Sequence, residues 1–208
     1  LFRALGLADA DGRIKPSRQA KVRQVEEFLR LVASAITAAI DKGHLRRPTV
    51  DDPLRVVDLG CGNAYLTFAA HRFLSDVRGL PVRLTGVDVK EQSREHNPAV
   101  ASDLGIDAEF VVGTISDAVL DPAPEVVLAL HACDTATDEA LARAVGWRAP
   151  LVDLTRQPHH RWVKVGIGRR LVLQFGDDAL GHLRPDARRA RHRGLVAQRN
   201  RVGEIGWR

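Results

Sequence analysis

The sequence has no methionine, two cysteines, one tyrosine and three tryptophans, so aromatic residues make up 5% of its 208 residues. Two cysteines, Cys61 and Cys133, build no disulfide framework. Neither sits in a Cys-x-x-Cys or Cys/His pattern at zinc spacing, so no metal site is expected, and their scarcity suits a reducing compartment. Long apolar runs are missing too: the best candidate, residues 31–40, falls short of the roughly 20 residues that span a bilayer and includes Ser34 and Thr37. Residues 1–9 hold no apolar stretch long enough for a signal peptide, which makes a soluble, cytoplasmic protein with no membrane partner the expectation. With no methionine and a start at Leu1, processing, trimming and a non-standard start codon all stay open.

What is present is an ordinary globular composition, 45% hydrophobic and 27% charged, with 17 Gly and 10 Pro, which excludes collagen-like, mucin-like and wholly disordered chains. At this length one domain with an unstapled core is the default. The formal net charge of +5 conceals an asymmetry: residues 1–150 carry 18 Lys and Arg against 21 Asp and Glu, whereas 151–208 carry 13 against 5. A basic tail of this kind invites a nucleic-acid reading.

Residues 1–14 show no periodicity. From Ser17 to Lys42 apolar residues recur at helical spacing (Val22, Val25, Phe28, Val32, Ile36, Ala39), with Gly43 as the stop. Short buried strands then alternate with helical segments. Strands are expected at 54–59, 82–87, 110–112, 125–130 and 151–154, and helices at about 64–75, 90–104 and 137–145. Pro98 indents the second of these helices, and Thr135 or Thr137 caps the third. That alternation implies an α/β fold with a Rossmann-like doubly wound parallel sheet, preceded by an N-terminal helical extension. Residues 163–175 have room for one or two further strands, and beyond Gly176 apolar residues are few while seven Arg fall between Arg184 and Arg201.

The informative segment is Val56-Val57-Asp58-Leu59-Gly60-Cys61-Gly62-Asn63-Ala64-Tyr65-Leu66-Thr67, a strand that runs through a glycine turn into a helix. Gly60 and Gly62 permit a tight turn and close approach of a ligand, and the helix start offers unpaired N–H groups. Asp88, at the end of the second strand, is placed either to accept hydrogen bonds from ribose hydroxyls or to cap the helix that follows. A dinucleotide fingerprint would have Gly or Ala where Tyr65 stands, and no Gly-Lys-Ser/Thr follows for a Walker loop. Asp58 adds a negative charge that repels phosphate and suits a cationic ligand such as an amino group.

Val57-Asp58-Leu59-Gly60-Cys61-Gly62 with Tyr65-Leu66-Thr67 resembles motif I of the class I S-adenosylmethionine (SAM)-dependent methyltransferases. More narrowly, Leu130-His131-Ala132-Cys133-Asp134-Thr135-Ala136-Thr137-Asp138 is similar to a segment of a methyltransferase-domain family. That family includes glutathione S-transferase C-terminal-domain-containing proteins, and a similar segment occurs in one kind of tRNA methyltransferase. Lys21-Val22-Arg23-Gln24 also looks like this family.

The resemblance implies that Gly60 and Gly62 form the turn under the methionine moiety of SAM, that Asp58 anchors its amino group and that Asp88 clamps its ribose. It implies that Gly113, Thr114 and Ile115 border the adenine and that His131 to Asp134 face the transferred methyl, with His131 or Asp134 as proton acceptor. Ala64 departs from the family, many of whose members have a third glycine there; a slightly wider turn would absorb it. A second departure follows Leu151, where relatives have a Pro-Cys-Cys-His-like segment and this chain reads Asp153-Leu154-Thr155-Arg156-Gln157-Pro158-His159-His160. The tail reads as solvated surface, as RNA contact or as a shifted reading frame.

The expectation is therefore an N-terminal extension over 1–50, a SAM-binding methyltransferase core over 51–152, and over 153–208 either the remainder of the domain or an aberrant basic tail. The methyl acceptor is unidentified, with RNA as the leading candidate. The rival reading is a catalytically inactive SAM-fold or RNA-binding accessory module.

Overall fold

The computed structural model describes residues 2–3, 5–130, 134–156, 161–167, 171–174, 197–199 and 204–207, with backbone alone at 92, 94, 134 and from 154 onward. A 3-10 turn, Pro16–Arg18, leads into α1 (Gln19–Asp41). Proline is suited to that first turn because no N–H is needed there. The buried residues of α1, Val22, Val25, Phe28, Val32, Ala33, Ile36 and Ala39, form the single apolar stripe that the sequence spacing predicts.

Five parallel strands follow: β1 (Leu54–Leu59), β2 (Val82–Asp88), β3 (Ala108–Val112), β4 (Val126–Ala129) and β5 (Leu151–Arg156). They are connected through α2 (Tyr65–Arg72), α3 (Glu91–Leu104) and α4 (Asp134–Trp147), and a π turn, Phe73–Val77, extends α2. The parallel strands lie in the order β3-β2-β1-β4-β5. β1 pairs with β2 from Leu54↔Val82 to Leu59↔Val87, and with β4 from Val56↔Val126 to Asp58↔Leu128. The chain thus winds outward from β1 to β3, then returns to the other side of β1. Its direction reverses between β1 and β4, which is where open sheets of this kind form their binding crevice.

Helices cover both faces, as strand alternation requires. Leu54 and Val56 point into one core with Phe28, Ile36, Leu66, Phe68 and Val100. Val57 and Leu59 point into the other with Val87, Val127, Ala140 and Ala144. The sheet is the doubly wound Rossmann-like arrangement that the alternation of elements predicts.

Two local expectations are revised, and the strands expected within residues 163–175 are found as part of a longer series. Helix α4 starts at Asp134, so Thr135 and Thr137 lie inside its first turn and do not cap it. The lead-in contains an isolated antiparallel bridge, Ala8↔Ile14. Beyond β5 the sheet continues as an antiparallel series: β6 (Arg161–Ile167) pairs with β5, β7 (Leu171–Gln174) with β6, and β9 (Glu204–Trp207) joins β7 to β8 (Ala197–Arg199). The last two strands are too short and too polar to announce themselves by alternation; pairing alone defines them. Among the described residues no helix is long and apolar enough to cross a membrane.

Candidate functional site

Strand β1 ends in Gly60-Cys61-Gly62, with Gly60 at φ +75° and Gly62 at φ +52°. A side chain at either position would be strained by the backbone, while the space where a Cβ would stand is open to 4 Å. The turn therefore presents bare backbone at the switch point. Ala64, before α2, also takes a left-handed conformation (φ 50°, ψ 21°). The alanine that stands where many relatives have a third glycine thus carries a left-handed backbone, which is strained for a residue with a Cβ.

Asp58, the fifth residue of β1, alternates onto the same face as Val56 and lies at the upper rim of that core, 2% exposed. Its Oδ2 accepts a hydrogen bond from Thr67 Oγ1 on α2. Its Oδ1 is buried and has no hydrogen-bond partner among the described residues. Burial pushes the Asp58 carboxyl up to about 7; the Thr67 hydrogen bond works against this shift and the charge of Asp88 adds to it. A buried carboxylate with a spare oxygen is costly unless a cation or donor completes it.

Asp88 closes β2 and grips the turn. Its Oδ2 accepts the Gly62 N–H at 2.8 Å and its Oδ1 accepts the Lys90 N–H at 2.9 Å. The helix that follows starts later, with Lys90 in the N-cap position, so Asp88 is not its cap. At the next peptide unit of the same glycine, Asn97 Nδ2 donates to the Gly62 carbonyl at 2.8 Å and lies 3.9 Å from Cys61 Sγ. Burial, with the charges of Asp58 and Asp88 adding to it, raises the Cys61 thiol, which stays protonated. Gly86 on β2 leaves room for this packing: a Cβ there would stand 2.5 Å from Phe110 Cδ1 and 3.0 Å from Cys61 Sγ.

The remaining sequence-derived candidates divide. Gly113 follows β3 and its N–H donates to the Asp88 carbonyl at 3.0 Å, placing it beside the Asp88 end of the turn. Thr114 closes a local turn, its hydroxyl donating to Asp117 Oδ2 at 2.6 Å and accepting from the Asp117 N–H at 3.1 Å. The Ile115 side chain packs into the second core beside Val57 and Val87, which leaves its backbone alone to border a ligand. Asp134 opens α4. His131, Ala132 and Cys133 lie outside the described residues, as do Pro158, His159 and His160.

From α1, Gln24 Oε1 accepts the Tyr65 hydroxyl at 2.8 Å and Lys21 Nζ lies 5.0 Å from the Tyr65 ring centre. The Lys21-to-Gln24 segment is thus docked on the first residue of α2, next to the glycine turn. Asn97 went unremarked in the sequence. The fold places it with Ser93, Val100 and Ala101 on one buried helical stripe, where an amide needs a partner.

A bare glycine turn flanked by two strand-end carboxylates thus stands at the switch point of a doubly wound sheet, where such sheets form their binding crevice. A family model for the methyltransferase domain matches residues 20–155, more than half of the chain, and the chain belongs to that family. Among solved structures it is similar to the bifunctional kinase-methyltransferase WbdD, with 20% identity over 63% of this chain and 28% of that one and a TM-score of 0.47. It is also similar to a SAM-dependent methyltransferase from Thiobacillus denitrificans in complex with S-adenosyl-L-homocysteine, with 21% identity over 62% of this chain and 47% of that one and a TM-score of 0.42. A third is the tRNA (uracil-54, C5)-methyltransferase of Pyrococcus abyssi, with 14% identity over 58% and 28% of the two chains and a TM-score of 0.40. The chain spans less than half the length of each of these structures. No curated protein matches.

Proposed function

We propose that this methyltransferase domain binds SAM at the turn after β1 and transfers its methyl group to a nucleophile on RNA. The observation that carries the cofactor reading is the buried, unpartnered Asp58 oxygen beside a glycine turn with open space above it. Those features fit the ligand: a carboxylate suits the ammonium of the methionine moiety, positive-φ glycines let backbone approach it, and Asp88 retains lone pairs for ribose hydroxyls.

When bound, SAM supplies a methyl group already activated by its sulfonium, so the protein has to position, exclude water and, where the acceptor requires it, take a proton. Asp58 and the Gly60 and Gly62 backbone hold the methionine end. Asp88 holds the ribose, and Gly113, Thr114 and the Ile115 backbone border the base. His131, which follows β4 in the sequence, is assigned the proton, with Asp134 as the alternative acceptor. RNA is placed first because the Leu130-to-Asp138 segment resembles that of a tRNA methyltransferase and because residues 151–208 carry 13 Lys and Arg against 5 Asp and Glu, a balance that attracts a polyanion.

The test is a thermal shift with SAM, with S-adenosylhomocysteine and with NAD. Ligand at 100 times its dissociation constant adds about 2.7 kcal/mol of stability, so the first two are expected to raise Tm and NAD to leave it unchanged. A folded sample that responds to none of them overturns the cofactor assignment. Methyl-labelled SAM incubated with total RNA then tests the acceptor: label in a ribonuclease-sensitive fraction supports RNA, and label confined to other fractions refutes it.

A further inference from the structure

We propose that Asn97 is a positioning residue for the cofactor turn, acting with Asp88 to clamp Gly62 through the peptide groups on its two sides. The inference rests on the reading that this turn holds SAM. Gly62 sits at φ +52°, and its two polar groups are gripped by side chains: Asp88 Oδ2 takes the N–H at 2.8 Å and Asn97 Nδ2 gives to the carbonyl at 2.8 Å. Both grips come from one continuous unit, the end of β2 and the α3 helix that follows it. The turn is therefore fastened to the neighbouring strand-helix unit and does not rely on its own backbone alone.

Asn97 is wholly buried, and having given its amide N–H to Gly62 it leaves Oδ1 without a partner among the described residues. A helix selected for stability alone would carry an apolar residue on this stripe, because a half-satisfied buried amide is a net burden. Pro98 follows it, so the interior of α3 also tolerates a residue without an N–H at the next position. What the amide provides is a fixed orientation of the Gly62 carbonyl, and with it of the N–H groups and open face that the ligand meets. A backbone held in place before the ligand arrives loses less freedom on binding.

Asn97→Leu keeps the branched skeleton and the number of heavy atoms and removes the donor; Val100→Ala, on the same buried stripe, is the control for general loosening of α3. Hydrogen exchange of the ligand-free protein and calorimetric titration with S-adenosylhomocysteine are read at a temperature where every variant is folded. In Asn97→Leu the amides of residues 61–64 are expected to exchange at least tenfold faster and the dissociation constant to rise at least tenfold, while Val100→Ala changes neither to that degree. Asn97→Ser serves if the leucine variant does not fold. The proposal is overturned if either the exchange of the turn or the affinity in the Asn97 variant matches that of Val100→Ala. Failure of the wild-type protein to bind S-adenosylhomocysteine overturns the cofactor reading instead, and the exchange result then stands alone as a test of the clamp.

Discussion

At the amino ends of β1 and β4, charge is closed on itself. Glu125, its side chain 10% exposed, receives Arg46 at 2.8 Å and Arg55 at 3.2 Å, and both arginines also reach Asp52, at 2.9 and 3.0 Å. At the carboxyl end of the same β1 strand, Asp58 is buried as deeply, and one of its oxygens meets no partner among the described residues. The first arrangement ties the Pro48-to-Pro53 loop to the sheet and has nothing left to offer a ligand. The second leaves an acceptor, two positive-φ glycines and a strained alanine in one place, which is how stability is given up where binding is gained.

The largest expected effect comes from opening the closed end. Glu125→Gln strands two half-buried guanidinium groups, and with solvent screening taken into account should lower stability by about 2 kcal/mol, or roughly 4–8 °C in Tm for a chain of this size. The increment in Tm caused by S-adenosylhomocysteine should stay as in wild type. Asp58→Asn should do the reverse. Loss of a charge-assisted hydrogen bond worth about 1.5–3 kcal/mol weakens cofactor binding roughly 10- to 100-fold, whereas Tm of the free protein holds or rises because a buried carboxylate has gone. A stability loss comparable to that of Glu125→Gln would erase the contrast between the two ends.

Acidity sharpens the same contrast. The Asp58 carboxyl stands at about 7 in the fold against 3.8 as a free side chain. The folded state therefore keeps a proton that the unfolded state releases, and the stability contributed by this group is full below about pH 4 and declines as pH rises through about 7. An ammonium arriving beside Asp58 displaces that proton. Affinity for S-adenosylhomocysteine should then rise by up to tenfold per pH unit toward pH 7 and level off above it, as calorimetry from pH 5.5 to 8 would show. The slope should vanish in Asp58→Asn. The smallest effect is expected at the strained alanine: Ala64→Gly relieves a left-handed conformation and should add up to about 1 kcal/mol, visible as a modest rise in Tm.

Much of the architecture was legible because its signals are local. The bounds of β1 follow from the apolar run Leu54-Arg55-Val56-Val57-Asp58-Leu59 stopped by glycine, and α1 follows from its single stripe. The turn and its two carboxylates could be singled out for a similar reason: their positions at strand ends are set by sequence spacing. Ile115 shows the limit, since nothing local distinguishes an isoleucine that borders a ligand from one that fills the second core. Asn97 shows another, because its partner lies 35 residues away on a different element. The start of α4 shows a third, because it lies before both threonines that the sequence offers as caps.

Period, punctuation and the spacing of glycines against carboxylates are properties of the chain itself, and they suffice for a doubly wound sheet with a ligand turn after its first strand. Whether a given polar atom is spent or spare is a property of the packed molecule. Glu125 and Asp58 are both acidic residues at strand ends, yet one is enclosed by two arginines from separate segments and the other keeps an oxygen without a hydrogen-bond partner among the described residues. That difference arises when distant segments are brought within hydrogen-bonding distance and water is excluded, because burial then turns an unmade hydrogen bond from a negligible matter into a free-energy cost that a ligand can relieve.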